Sequence, residues 1–99
     1  MPYPVRYSTR ALIEYENILE YISGKFGITV AAKVDTYFED VVTQISINPF
    51  LYPCSDKRKN IRRCVINYQT TLYYRFSGEY VELVSFRGNK MNPNTLDLQ

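Results

Sequence analysis

The sequence predicts an α+β domain in which an antiparallel helical hairpin packs on one face of a mostly antiparallel four-stranded sheet. Three observations carry this prediction. A short alternating segment opens the chain, two long stretches with helical periodicity follow it, and strand-like segments occupy much of the second half. A chain of 99 residues has the size of one domain, so we expect residues 1–99 to form a single unit.

The first strand is predicted around Val5, because apolar residues alternate with others across residues 3–8. Ser8 or Thr9 then stands where the N-cap of a helix belongs, just before a run with helical periodicity. The predicted buried stripe of this first helix consists of Leu12, Tyr15, Leu19 and Ile22, with Ala11 and Ile18 beside it. Glu14, Glu16, Glu20 and Lys25 fall mostly outside that stripe.

The second helix has an apolar stripe with a regular three-four repeat. The stripe is formed by Ala31, Val34, Phe38, Val41 and Ile45. Gly24 and Gly27 precede this helix and predict a short connection from the first one. Asn48-Pro49 predicts its end, because the residue before a proline avoids the helical conformation. Two helices joined by a few residues favour an antiparallel hairpin.

Three strands are predicted in the second half, over residues 61–66, 70–76 and 80–86. Residues 50–60 combine proline, serine and charge without periodicity, so they are predicted to form a loop. A Ser-Gly turn at residues 77–79 predicts a hairpin between the last two strands.

The middle strand assigns residues to the two faces of the sheet, since successive side chains point to opposite sides. One set, which suits the helices, is Leu72, Tyr74 and Phe76, and the other set is Thr71, Tyr73 and Arg75. We call the face that the helices leave uncovered the open face. Arg62 and Arg63 are neighbours, so one of them is expected on the open face and the other near the helical side or an edge. Arginine and tyrosine are enriched where interfaces concentrate their binding energy, so this face is a candidate docking surface.

The positive charge of the chain is concentrated in its second half. Residues 1–49 hold four Lys/Arg and six Asp/Glu, whereas residues 50–99 hold eight and four. Such asymmetry predicts an anionic partner, either nucleic acid or an acidic protein surface. The alternative is a solvated basic face on an ordinary domain.

Several function classes are excluded or disfavoured by composition. No apolar run approaches the roughly 20 residues of a membrane span, and the start of the chain lacks the apolar segment of a secretory signal. We therefore expect a cytoplasmic protein without a membrane partner, in which Cys54 and Cys64 are free thiols. Two cysteines without any histidine do not make a zinc site, so no metal or cofactor is expected.

Four segments, in order, resemble a known family. The segment that resembles the family's first strand and helix is "VRYSTRALIEYENILEYISGKFG", and the one that resembles its second helix is "AAKVDTYFEDVVTQISINPFLYP". A strand that opens on arginine is resembled by "NIRRCV", and the closing strands are resembled by "TLYYRFSGEYVELVSFRGNKMNP". The family is the RelE/ParE superfamily of type II toxin–antitoxin toxins. The resemblance extends from Val5 to about Leu96 and rests on the order of the segments rather than on one motif.

The resemblance implies a small bacterial toxin of the plasmid-stabilisation kind, neutralised by a cognate antitoxin. It also implies one of two targets. RelE-like members enter the ribosomal A site and cleave mRNA, whereas ParE-like members inhibit DNA gyrase.

The residues favour the ParE-like branch. RelE-like cleavage uses basic residues on the central strands and a tyrosine near the C-terminus. Arg62 matches one basic position, but Cys64 and Thr71 stand at two others, and no tyrosine follows Asn89. The sequence also lacks histidine, so no imidazole base is available. "IRRC" followed by "YYRF" is closer to ParE-like sequences.

We therefore expect a non-hydrolytic inhibitor that binds DNA gyrase. The alternative is a ribosome-dependent mRNA endonuclease. No catalytic residue is assigned, and the candidates for target or RNA binding are Arg62, Arg63, Tyr73, Arg75, Arg87 and Lys90.

Overall fold

The computed structural model describes residues 2–55, 60–67 and 70–88. Its elements are β1 (Val5–Tyr7), α1 (Thr9–Phe26), α2 (Ile28–Ile47), β2 (Arg62–Asn67), β3 (Thr70–Phe76) and β4 (Val81–Gly88). The predicted order of one strand, two helices and three strands is confirmed.

The four strands form one sheet in the order β1-β4-β3-β2. The β2–β3 and β3–β4 pairs are antiparallel, and β1 is parallel to β4. The central strands are therefore β3 and β4, and the first strand of the chain lies beside the last. Cys54 forms an isolated bridge to Arg62 on the outer side of β2. The predicted α+β fold with a mostly antiparallel sheet is confirmed.

Ser8 fixes the start of α1. Its Oγ accepts a hydrogen bond from the Ala11 N–H at 2.9 Å and donates to the carbonyl of Val84 at 2.9 Å. The first bond caps the helix, and the second ties that cap to β4. Of the two predicted N-cap residues, Ser8 has this role.

The inward face of α1 differs from the predicted stripe by one position. Ala11, Ile18 and Ile22 are buried, whereas Leu12 is 46% exposed. Successive helical residues are about 100° apart, so a helix that turns Ala11 to the sheet turns Leu12 aside. The expectation that Leu12 belongs to the core was wrong.

A single residue, Gly27, separates the two helices. Its φ is 98°, a conformation that side chains with a Cβ rarely adopt. The Gly27 N–H donates to the carbonyl of Ser23 at 2.9 Å and closes α1. The second helix buries Phe38, Val41 and Ile45 as predicted, and it ends immediately before the Asn-Pro pair.

Both helices and the three strands of the second half supply the core. Its buried members are Ala11, Ile18, Ile22, Phe38, Val41, Ile45, Cys64, Ile66, Leu72, Tyr74, Val81, Leu83 and Phe86. The partly buried Tyr15 packs against it, with its ring centroid 5.6 Å from that of Phe38 and 5.1 Å from that of Phe86. These contacts fix the helices on one face of the sheet. In the described ranges, no helix combines the length and apolarity that crossing a bilayer requires.

Candidate functional site: the open face of the sheet

The burial of the strand residues shows which face of the sheet each side chain occupies. Cys64, Leu72 and Tyr74 are buried beneath the helices. Their neighbours Arg63 and Tyr73 therefore point to the open face, where they are directly paired across β2 and β3. The Arg63 side chain is exposed and that of Tyr73 is half-buried.

A second row of the open face crosses three strands. Arg75 on β3 pairs with Glu82 on β4, and its Nε lies 2.7 Å from the Glu82 carboxylate. Glu82 in turn is the register partner of Arg6 on β1. The Arg6 guanidinium carbon lies 4.1 Å from the centroid of the Tyr80 ring. One carboxylate thus stands between two arginines, and 54% of the Arg75 side chain is exposed despite the ion pair.

Arg87 completes the open face at the other end of the sheet. Its neighbour Phe86 is buried in the core, so the exposed Arg87 side chain points the opposite way. Arg87 pairs with Thr71, which pairs with Val65. Thr71 is only 4% exposed. The sequence placed Thr71 on this face, but so little of it is exposed that it offers almost no surface to a partner.

Arg62 lies on the helix-covered side, as expected for one of the two neighbouring arginines. Its Nη1 donates to the Tyr52 carbonyl at 2.7 Å, and its guanidinium carbon lies 4.9 Å from the centroid of the Phe50 ring. Arg62 therefore anchors the segment before β2 and does not join the open face. The remaining candidate, Lys90, lies outside the described residues.

The two sides of the molecule carry opposite charge. The helices contain three Lys/Arg and six Asp/Glu, whereas the strands contain five arginines and one glutamate. Four of those arginines, Arg6, Arg63, Arg75 and Arg87, share the open face. Guanidinium groups beside tyrosine rings suit the binding of an anionic or mixed macromolecular surface. In the described part of the chain, no three potential ligand side chains lie close enough to hold a metal ion.

Four titratable groups with raised pKa values belong to the core or pack against it. Burial raises the pKa of Tyr74, whose hydroxyl donates to the Pro49 carbonyl at 2.8 Å. Burial and a hydrogen bond to Cys64 raise the pKa of Tyr52 to about 12. Burial also raises the pKa of the Cys64 thiol. The pKa of Tyr15, which is partly buried and hydrogen-bonded to Asp35, is raised as well. These groups stay protonated near neutrality and act as structural donors.

Sequence reasoning missed two residues of structural importance near this site. Glu14 lies outside the apolar stripe of α1, but its Oε1 accepts from Ser85 Oγ at 2.7 Å and from the Phe86 N–H at 3.0 Å. Arg6 was not among the candidates because nothing in residues 3–8 shows that β1 lies beside β4. A hydrophobic pattern identifies the buried face of a helix, but it does not reveal a carboxylate that reaches across to a strand.

Comparison with solved structures shows the same fold in proteins of low sequence identity. The chromosomal ParDE toxin–antitoxin system of P. aeruginosa aligns with a TM-score of 0.75 at 10% identity, covering 87% of this chain and 95% of that one. The YoeB dimer of Staphylococcus aureus aligns at 0.62 and 14% identity, covering 88% and 97%. The YoeB/ParE toxin of Agrobacterium tumefaciens aligns at 0.62 and 15% identity, covering 86% and 96%. No protein-family model and no curated protein matches the sequence.

These alignments define the class of fold. Two helices on a four-stranded mixed sheet, matched over nearly the full length of each of these solved structures, constitute the RelE/ParE fold. The fold implied by the sequence resemblance is therefore confirmed.

Proposed function

We propose that this chain is the toxin of a type II toxin–antitoxin pair and that it inhibits DNA gyrase by binding it through the open face. The observation that carries the proposal is the exposure of Arg63 and Arg75, with Tyr73 half-buried between them, on a sheet face that the helices leave uncovered. The fold shared with the ParDE and YoeB proteins supports the toxin class.

Two positions support binding rather than cleavage. Cys64 and Thr71 stand where RelE-like sequences carry basic residues, and they are 1% and 4% exposed. Neither side chain can stabilise developing charge on a scissile phosphate, because that role needs an accessible cation or donor. The exposed arginines of the open face provide positive charge, and the carboxylate beside them, that of Glu82, is held in an ion pair with Arg75.

A cognate antitoxin is part of the proposal. The strands carry a surplus of arginines, whereas the helices carry a surplus of carboxylates. An acidic antitoxin segment on the open face would neutralise the surplus of arginines and block the target surface at once. Binding to the native state would also raise the melting temperature of the toxin. Independent elution of the two proteins on size-exclusion chromatography would contradict this partner assignment.

The second candidate function is a ribosome-dependent mRNA endonuclease. One observation favours it: Arg63, Arg75 and Arg87 lie on one face, as expected of a surface that binds the phosphates of a single strand. The solved relatives carry both ParE and YoeB names, so the fold alone does not separate the two targets.

A pair of assays separates them. Purified chain is added to gyrase from the native host, and supercoiling of relaxed plasmid is followed. We expect supercoiling to be lost with wild-type chain and with a Lys33→Ala control on the helical side, but retained with Arg63→Ala. In parallel, primer extension on translated message should show no A-site cuts.

Two outcomes oppose the proposal. Unchanged supercoiling at saturating wild-type chain contradicts gyrase inhibition. A-site cuts in translated message establish the endonuclease in its place.

A further inference from the structure

One end of the sheet carries a cluster of aromatic rings on the helix-covered side. The centroid of the Phe76 ring lies 4.7 Å from that of Tyr3 and 5.5 Å from that of Phe50, both in edge-on geometry. Phe50 is 63% exposed and Tyr3 is 38% exposed. We call Tyr3, Phe50 and Phe76 the aromatic patch. Such rings are usually buried, so their exposure in one cluster points to a partner surface.

The backbone that presents Phe50 is held on both sides. Before it, the Pro49 carbonyl accepts the buried hydrogen bond from the Tyr74 hydroxyl at 2.8 Å. After it, the Tyr52 carbonyl accepts from Arg62 at 2.7 Å. A ring presented by a fixed backbone loses little conformational entropy on binding. The aromatic patch is therefore preorganised for a partner.

Arg62 places a positive charge beside the aromatic patch. Its guanidinium carbon lies 4.9 Å from the Phe50 ring centroid, and its side chain is half-buried. Within residues 2–55, 60–67 and 70–88, the ion pairs are Arg10–Glu14 and Arg75–Glu82, so no described carboxylate neutralises Arg62. The guanidinium has five N–H donors, and one of them is given to Tyr52. Its remaining donors suit a carboxylate from outside the chain.

We propose that the aromatic patch and Arg62 form a docking site for a protein segment that carries an aliphatic side chain next to a carboxylate. The aliphatic group packs on the rings of Phe50 and Tyr3, and the carboxylate pairs with Arg62. Leu51, next in the chain and 44% exposed, extends the apolar contact. The site is independent of the proposed toxin function and lies on the side of the sheet opposite to the open face.

The contacts favour a protein segment over a nucleic acid. Phe50 carries the Arg62 guanidinium over its ring and lies edge-on to Phe76, so it offers less ring surface than the stacking of a whole base uses, but enough for contact with a small aliphatic group. Leu51 is aliphatic and offers no surface for stacking.

The test is a titration of ¹⁵N-labelled chain followed by amide chemical shifts. The probes are a short peptide in which leucine and glutamate alternate, a matched peptide of leucine and lysine, and a short oligouridylate. We expect the leucine–glutamate peptide to shift the amides of Phe50, Leu51 and Arg62. Replacing Phe50 with alanine should weaken its binding about tenfold, as loss of a central contact residue does. The control Ile28→Ala removes another exposed apolar side chain, 79% exposed, and should leave binding unchanged.

Three outcomes would overturn the proposal. The first is equal or tighter binding of the lysine peptide, which would remove the role of Arg62. The second is a shift of the aromatic-patch amides by oligouridylate and not by the leucine–glutamate peptide. The third is wild-type affinity in the Phe50→Ala variant, or no shift at the patch with any probe. A Leu51→Ala variant, altered only at an exposed side chain, repeats the test if Phe50→Ala does not fold, and a twofold or greater loss of affinity is then required.

Discussion

Glu14 holds α1 against β4 with one carboxylate. The short strand β1 pairs with β4 only as far as Leu83, so the residues of β4 after Leu83 have no pairing partner in β1. The carboxylate of Glu14 takes the position of a neighbouring strand and accepts from Ser85 Oγ and the Phe86 N–H. Arg10 pairs with its second oxygen at 3.1 Å. Strand β4 also carries Arg87, so this contact steadies one edge of the open face.

Replacing Glu14 with alanine should lower the free energy of unfolding by about 2–3 kcal/mol, because two hydrogen bonds to a charged acceptor are lost at a part-buried site. Urea denaturation measures the change. Glu16→Ala, at an exposed position of the same helix, is the matched control and should shift stability by less than about 0.5 kcal/mol. Equal effects of the two substitutions would show that the Glu14 contacts do not stabilise the fold.

The two cysteines should differ in reactivity. Cys54 is exposed, whereas Cys64 is 1% exposed and burial raises its pKa. The thiolate is the reactive form, so Cys64 is protected both by lack of access and by protonation. Ellman's reagent should modify one thiol in the native protein and both after unfolding in guanidinium. Rapid modification of both thiols under native conditions would contradict this packing of β2.

At the scale of elements, the connections are fixed by side chains as much as by backbone pairing. The cap of α1 is bonded to β4 through Ser8, and the segment between α2 and β2 is bonded to the sheet through Tyr74 and Arg62. A bulge in β2 lies between Val65 and Asn67, and the Tyr37 hydroxyl on α2 donates to the Ile66 carbonyl at 3.0 Å. Each helix is thus hydrogen-bonded to a different strand.

Replacing Ser8 with alanine should destabilise the protein by about 1–2 kcal/mol, because it removes an N-cap. The loss of the bond to Val84 adds to that effect. Thermal unfolding followed by circular dichroism measures the change. Thr43→Ala, an exposed substitution within α2, is the control and should leave the melting temperature nearly unchanged. A Ser8→Ala variant as stable as the control would mean that the cap does not anchor α1.

The elements differ in how far the sequence predicted them. The stripe of α2 and its end before Pro49 follow from local spacing, so they were predictable. The stripe of α1 was one position off because both Ala11 and Leu12 fit a helical repeat, and only the sheet beneath decides between them. The contacts of Arg6, Glu14 and Arg62 depend on which segments meet in three dimensions, which a single sequence does not show.

At the scale of the molecule, the buried tyrosines link stability to alkaline pH. The folded-state pKa values of Tyr52 and Tyr74 lie above the ordinary value of 10.0. A raised folded pKa favours the protonated form, so its contribution is fully present below pH 10 and is lost as the pH rises toward 12, the approximate folded-state pKa of Tyr52.

The melting temperature should therefore be insensitive to these groups at neutral pH and fall steeply above pH 10. Phenolate absorbance at 295 nm should show that some of the tyrosines ionise only at the pH at which the circular dichroism signal is lost. Full ionisation of all ten tyrosines near pH 10 with the fold intact would contradict the burial of these hydroxyls.

The charge distribution separates the molecule into two sides. The helices carry a surplus of carboxylates, and the open face carries four arginines, two of which, Arg6 and Arg75, are register partners of Glu82. An anionic partner is therefore attracted to the sheet side, and its association should weaken as salt screens the charges. The aromatic patch lies on the other side of the sheet, so both surfaces are free to act at the same time.

The central claim is that the chain inhibits its target by binding it through the open face. The most direct test is to measure bacterial growth after the chain is induced without an antitoxin. The comparison uses wild type, the double variant Arg63→Ala with Tyr73→Ala, and Lys33→Ala on the helical side, all shown to be folded by circular dichroism. We predict growth arrest with wild type and Lys33→Ala and normal growth with the double variant. Arrest by the folded double variant, or normal growth with wild type, would contradict the claim.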